Sequence, residues 1–303
     1  MKQAFIDSLT KLMGGNDDLV VITVDMGFSV FEGIQKRFPK RFFNTGITEQ
    51  ASISFVAGLA LSGYKVYFYA QAPFISMRCF EQVRLDIAYN DLDVKLIGSN
   101  SGLSLNQYGV SHFGLEDIAI MMTLPKMMIF NPADSIEMAK TMEEAYKIKG
   151  PVYIRMTKTG NQTIHKKNVN INKPILIERG KDGLLLVSGG LLERTKQILT
   201  SLKNYRINLA LYSCPLIKPM STDIILLMSK FKNVFTLEEH SVIGGFGSLV
   251  ANLITNNDLK IKLTKFALPD EYLHVSGTID YLLDQSGLSL DSITSKIKKI
   301  LVK

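Results

Sequence analysis

Short apolar runs alternate with helix-period segments from the N-terminus to about residue 156, and that alternation constrains the fold more than any other feature. LVVITV (19–24), KVYFYA (65–70), VKLIG (94–98), KMMIF (126–130) and PVYIRM (151–156) read as strands. The segments at about 3–13, 48–62, 78–90, 115–124 and 134–148 carry helical periodicity. Repeated βα units of this kind build a mostly parallel sheet with helices on both faces. The pattern breaks in the polar stretch 157–183, which is Asn/Lys-rich, without sustained periodicity and longer than most connections. A second series follows, with GLLLVSGG (183–190), INLALYS (207–213), NVFTLEE (233–239) and KIKLTKFAL (260–268) as strands between helical patterns. The expectation is an α/β protein of two domains, residues 1–160 and 181–303, joined by a linker at 161–180.

A chain of 303 residues agrees with two domains. Its hydrophobic content of 46% and charged content of 21% are those of a soluble globular protein. Cys79 and Cys214 are far apart and lack C-x-x-C spacing, which argues against a disulfide framework or structural zinc and for a reducing compartment. The N-terminal MKQAFIDSLTKLMGG has no continuous apolar core and no small-residue cleavage site, so it does not read as a secretory signal. No apolar run is long enough to span a bilayer, and a cytoplasmic location is expected. Net charge is +7, with basic groups at HKKNVNINK and KIKKILVK. Neither group interleaves aromatics, so nucleic acid is not expected as a partner. A basic surface suits an anionic substrate or an acidic partner instead.

One acid stands out. In RFFNTGITEQASISFVAGLALSGY (41–64), Glu49 opens an apolar helix that Thr48 can cap and Ser62-Gly63 can close. Taken alone, an acid in a first helical turn suits the positive end of the helix dipole. Its neighbours give it a second meaning. GITEQ…AGLALSGY, RCFEQVRLDIAYNDLDVKLIGSNSGL, YGVSHFGLEDIAIMMTLPKMMIFNPAD and GPVYIRM follow in one order with tight spacing. Together they resemble the pyrimidine-binding domain of the transketolase family, whose members use thiamine diphosphate. LYSCPLIKPMS, TLEEHSVIGGFGSLV and FALPDEY resemble the family's C-terminal domain, so the resemblance covers essentially the whole chain.

The resemblance implies roles for particular residues. Glu49 matches the glutamate that bonds N1′ of the cofactor's aminopyrimidine, favouring the imino tautomer whose N4′ group takes the C2 proton. Phe74 falls where relatives stack an aromatic ring on the aminopyrimidine, although it also reads as an ordinary core phenylalanine. Some relatives carry another phenylalanine where this chain has Gln71. His112 matches the histidine that contacts substrate, and can exchange protons near neutral pH. Asp25 and Arg78 are expected beside the cofactor. Ser29, in the loop after the first strand, aligns with a phosphate contact, though Asp and Ser also suit turns. Arg155 matches a phosphate-contacting arginine.

Several substrate positions depart from the family pattern. Tyr108 precedes GVSH where many transketolases have an acid, Phe113 follows the histidine where glutamine is common, Asn100 replaces a histidine, and Lys2 replaces an arginine. Cofactor activation therefore reads as retained and substrate recognition as altered, and a hydrophobic Phe113 beside His112 points to a deoxygenated or nucleotide-linked sugar. The Gly-Asp-Gly motif that supplies Mg²⁺ ligands at the family's diphosphate site is absent, since KDG at 181–183 has the wrong first residue. The expectation is the C-terminal subunit of a split enzyme, two copies of each chain, with thiamine diphosphate held between them and the Mg²⁺ ligands on an N-terminal partner. The expected reaction is ketol transfer between sugars or sugar phosphates. A synthase-like condensation of pyruvate with an aldehyde, or a non-catalytic binding subunit, are the other readings.

Three further stretches carry no chemistry in this reading. GGFGSLV (244–250) is a tight turn before a helix rather than a dinucleotide motif. LEEHSVIGG places His240 beside Glu238 and Glu239 without a common metal-ligand spacing, and reads as a loop at a subunit contact. His165 and His274 lack evident partners, and the Met-rich IMMTLPKMMIF reads as core.

Overall fold

The computed structural model describes residues 1–160, 162–166 and 169–302; Asn161, Lys167, Asn168 and Lys303, the first three within the expected linker, lie outside the described residues. Strands β1 (Leu19–Thr23), β2 (Phe42–Asn44), β3 (Lys65–Gln71), β4 (Val94–Ser101), β5 (Met128–Phe130) and β6 (Val152–Thr157) belong to the first domain. β7 (Ile175–Glu178), β8 (Gly183–Ser188), β9 (Leu209–Ser213), β10 (Leu216–Lys218), β11 (Asn233–Ser241) and β12 (Lys262–Leu268) follow. The helices of the first part are α1 (Lys2–Gly15), α2 (Glu32–Arg37), α3 (Glu49–Leu61), α4 (Phe80–Gln82), α5 (Asp117–Met122) and α6 (Ser135–Lys147). Those of the second are α7 (Leu192–Lys203), α8 (Asp223–Met228), α9 (Phe246–Asn256), α10 (Ile279–Gln285) and α11 (Leu290–Leu301).

Among the described residues the first sheet runs β10-β5-β6-β4-β3-β1-β2 and the second β12-β11-β8-β9-β7. Both are parallel except for two edge strands: β10 is antiparallel to β5, and β7 is antiparallel to β9. The near-unbroken apolar runs follow from burial on both faces. Leu19 and Val21 of β1 face a core shared with α1 and α6, whereas Val20 and Ile22 face one shared with α3 and α5. The second sheet repeats this, with Leu185 and Val187 against α7 and α11 and Leu184 and Leu186 against α8 and α9.

The two-domain α/β fold with helices on both faces is as expected, but its parts are exchanged. The linker contains β7, which pairs with the second sheet. β10, from the second half of the chain, closes an edge of the first sheet. The core that holds Val20 and Ile22 runs on without a break to Leu184, Val234 and Phe246. Met121 and Met127 are fully buried, so the methionine cluster is packing. Cys79 and Cys214 are buried and unpaired. Among the described residues no helix is long and apolar enough to cross a membrane.

Candidate active site

The carboxyl ends of β1, β3, β4 and β6 open on one side of the first sheet, where ligands bind in parallel α/β folds. Glu49 is the first residue of α3 and is nearly buried. Thr48 stands at the N-cap position, but its hydroxyl donates to Thr45 O at 2.8 Å and meets Ser52 Oγ at 3.1 Å rather than capping the helix. Gly63 closes α3 with φ +93°, as expected.

The segment expected as one helix at 78–90 is instead two π-helical turns, Phe74–Arg78 and Val83–Ala88, around the short α4. Single π-turns of this kind concentrate at functional sites. The first is closed by Cys79 N donating to Phe74 O at 3.1 Å, and it brings Phe74 and Arg78 together. The Arg78 guanidinium lies 4.0 Å from the centroid of the Phe74 ring, and its Nη1 lies 3.1 Å from Glu49 Oε2. The second Glu49 oxygen accepts no hydrogen bond among the described residues. Burial beside Glu49 pushes the Cys79 thiol up to about 12, so this cysteine is inert.

Phe74 also meets His112 in an edge-type contact, 5.4 Å between centroids, and His112 meets Tyr108 at 5.0 Å. Nδ1 of His112 lies 2.9 Å from Ser111 Oγ, which helps fix the ring. Glu49, Arg78, Phe74, His112 and Tyr108 thus form one continuous chain of contacts. Tyr108 then lines a cleft of about 710 Å³ together with Asp25, Asn100, Lys2 and Lys158. Asp25, Ser29 and Asn100 all hold left-handed backbone, with φ of 23°, 57° and 52°. Such strain in non-glycine residues gathers at ligand sites. Asp25 N donates to Asn44 Oδ1 at 3.0 Å, Ser29 N to Glu32 Oε1 at 2.5 Å, and Asn100 Nδ2 to Gln71 Oε1 at 3.3 Å.

Three expectations need correction. Arg155 is 1% exposed; its Nε donates to both oxygens of Asp117 at 2.9–3.0 Å, and its Nη2 to Gly114 O and Glu239 O. It holds the domains together and does not reach the cleft. Lys2 and Lys158 do line it; Lys158 stands just past the carboxyl end of β6, and strand position was the signal that could have found it. Phe113 is buried in the second-domain core, so it is a packing residue and gives no reason to expect a deoxygenated or nucleotide-linked sugar.

Glu238, Glu239 and His240 are the third correction: they lie within β11 and are buried between the domains. Glu238 accepts from Phe246 N and Gly247 N at 2.6 and 2.7 Å, so the glycine turn before α9 gives its amides to a side chain. Burial raises Glu238 to about 7. Burial lowers His240 to about 4, where its Nε2 accepts from Ala119 N at 3.4 Å. His165, which showed no partner in sequence, is buried with Nδ1 3.0 Å from Asp134 Oδ2 and Nε2 3.0 Å from Glu137 Oε1.

Residues 1–162 match the family described as "Transketolase, pyrimidine binding domain", and residues 174–293 match "Transketolase, C-terminal domain". The chain belongs to the transketolase family. It is 32% identical over 308 residues to a protein of Methanocaldococcus jannaschii provisionally named a transketolase C-terminal section, with 100% of this chain and 96% of the relative covered. It is 29% identical over 297 residues to one subunit of the apulose-4-phosphate transketolase of Phocaeicola vulgatus, covering 96% of this chain and 94% of that one. A 1-deoxy-D-xylulose-5-phosphate synthase of Alkaliphilus oremlandii is 31% identical over 298 residues, and the match spans only 47% of its length. A solved split gene transketolase, described as an inactive tetramer of its beta chain, superposes with a TM-score of 0.87 at 29% identity, over 99% of this chain and 97% of its own.

Proposed function

We propose that this chain is the C-terminal subunit of a split transketolase-type enzyme that moves a two-carbon ketol unit from a ketose to an aldose. The contact chain from Glu49 through Arg78, Phe74 and His112 to Tyr108 carries the reading. A nearly buried carboxylate with one oxygen left open, beside an aromatic face, fits an aminopyrimidine, which offers a ring nitrogen and a flat surface. Glu49 would hold that nitrogen and Phe74 would lie against the ring. When bound, thiamine diphosphate supplies the electron sink that ketol cleavage needs and no side chain provides.

The remaining work falls to this chain's own groups. Arg78 orients the Glu49 carboxylate. His112, steadied by Ser111 and Phe74, exchanges a proton with a sugar oxygen. Tyr108, Asn100 and Asp25 are placed to contact sugar hydroxyls, and Ser29 stands beside them. Lys2 and Lys158 supply positive charge for an anionic end of the sugar. Ile47, two residues before Glu49, and Phe28, at the cleft, are 75% and 74% exposed. We assign that surface to the partner subunit, which would bring the diphosphate site and the Mg²⁺ ligands and complete a cytoplasmic heterotetramer.

Glu49→Ala tests this. Ketol transfer by the complex should fall about a hundredfold or more while the thermal transition stays in place. Near-full activity would sink the assignment. The identity to deoxyxylulose phosphate synthases supports a second reading, condensation of pyruvate with an aldehyde. CO₂ release from pyruvate by the complex, without ketol transfer, would select it. A non-catalytic subunit would show neither reaction and no effect of Glu49→Ala.

A further inference from the structure

After β4 the chain leaves the sheet in a loop, residues 102–114, that carries Tyr108, Ser111 and His112. The two ends of the loop meet: Gly102 N donates to Gly114 O at 2.9 Å, and Gly114 N to Gly102 O at 3.0 Å. The loop is therefore a closed lariat with a two-residue neck, and the second domain grips that neck. Glu239 Oε1 accepts from Leu103 N at 2.6 Å, and its Oε2 accepts from Thr159 Oγ1 at 2.9 Å. Arg155 Nη2 donates to Gly114 O at 2.8 Å and to Glu239 O at 2.7 Å, pinning the far side of the neck to β11. Leu103 and Phe113, just inside the neck, are buried in the second-domain core. At the tip, Asn106 Nδ2 donates to Gly277 O at 2.5 Å.

The approach is close. Gly102 has φ +66°, and a Cβ there would lie 2.4 Å from Glu239 Oε1, so only glycine allows the carboxylate this near. A buried carboxylate is costly unless its oxygens are filled. Here they are filled by the root of the histidine loop and by the residue next to Lys158.

We propose that Glu239 is a positioning residue: through its carboxylate the second domain sets where the 102–114 loop and the 157–159 segment stand, and so where His112, Tyr108 and Lys158 meet the substrate. The mechanical part stands on the geometry alone; the effect on substrate rests on the ketol-transfer reading.

Hydrogen–deuterium exchange on the full chain compares wild type with Glu239→Ala, Glu239→Gln and Asn106→Ala. In Glu239→Ala, amides 103–113 should exchange about tenfold faster or more, with β3 and β4 unchanged, because a buried charge-assisted bond is lost locally. Glu239→Gln keeps the shape and one acceptor oxygen, so its rise should be smaller. Asn106→Ala should loosen the tip alone. In the complex with partner and cofactor, Glu239→Gln should raise the donor KM about tenfold and leave cofactor affinity unchanged. Unchanged exchange at 103–113, or an equal rise in β3 and β4, would overturn the proposal, as would a loosened loop with an unaltered KM. If Glu239→Ala does not fold, Glu239→Gln decides the matter by the same criteria, with Asn106→Ala as the control that loosens only the tip. A wild-type complex without ketol transfer would refute the functional reading, and the exchange comparison would still decide the placement of the loop.

Discussion

Nη1 of Arg78 lies 3.1 Å from Oε2 of Glu49. The same guanidinium covers the Phe74 ring at 4.0 Å, so one cation orients both the acid and the aromatic face of the site. Arg78 is 45% exposed, and an ion pair that open to solvent contributes little to folding. Its value lies in holding Glu49 in place.

Arg78→Met should therefore leave stability within about 1 kcal/mol of wild type. Thiamine diphosphate affinity of the complex should weaken about three- to tenfold, because the carboxylate and the ring lose their common contact. Fluorescence titration reads the affinity. A dissociation constant unchanged within about twofold would show that Glu49 needs no such support.

Lys158 lines the cleft that Tyr108, Asn100 and Asp25 share. Lys158→Ala should raise KM for a phosphorylated ketose about tenfold or more, the scale of one charge-assisted hydrogen bond. The turnover number should change far less, and an uncharged ketose should be unaffected. Steady-state kinetics on the two donors separates charge recognition from a general loss.

Arg155 and Asp117 are 1% and 0% exposed and bonded at 2.9 Å. Removing one partner leaves the other as a buried, uncompensated charge. Arg155→Leu should cost about 3–5 kcal/mol and lower Tm by about 10 °C. An unchanged Tm with a raised donor KM would return Arg155 to the substrate.

How much of this could be read from the sequence depended on what each residue faces. The strands were legible because β1, β3, β4 and β6 are buried on both sides and write their apolar character as continuous runs. β10, three residues long, was not: its place depends on pairing with β5 across the chain, which no local pattern encodes. The proposed roles of Glu49 and His112 rest on the family blocks around them, and their contacts with Arg78, Phe74 and Tyr108 are legible only in the fold. Arg155 was misplaced because the likeness gave its position in the chain but not the depth to which the second domain buries it. His165 lacks an evident partner in the sequence because its partners, Asp134 and Glu137, are distant along the chain.

The buried His240 should also leave a pH signature. Burial lowers its pKa from 6.5 to about 4, so between those values the unfolded chain binds the proton and the native one does not. Its contribution to stability is thus full above about pH 6.5 and is lost as pH falls toward 4, by up to ~1.4 kcal/mol per pH unit. Glu137 and Glu238, both raised to about 7 by burial, act in the opposite sense over part of that range. The comparison that isolates His240 is wild type against His240→Asn. Their stability difference, from urea unfolding, should shrink as pH falls from about 6.5 to 4.5. A constant difference would mean that His240 does not stay neutral in the fold.

Intact-complex mass spectrometry of the tagged chain, recovered from its native cells, tests the central claim most directly. A complex with a second chain of similar size, carrying thiamine diphosphate and a divalent ion, is the predicted result. A homo-oligomer with neither partner nor cofactor would contradict it, and would reduce Glu49 to an acid in the first turn of α3.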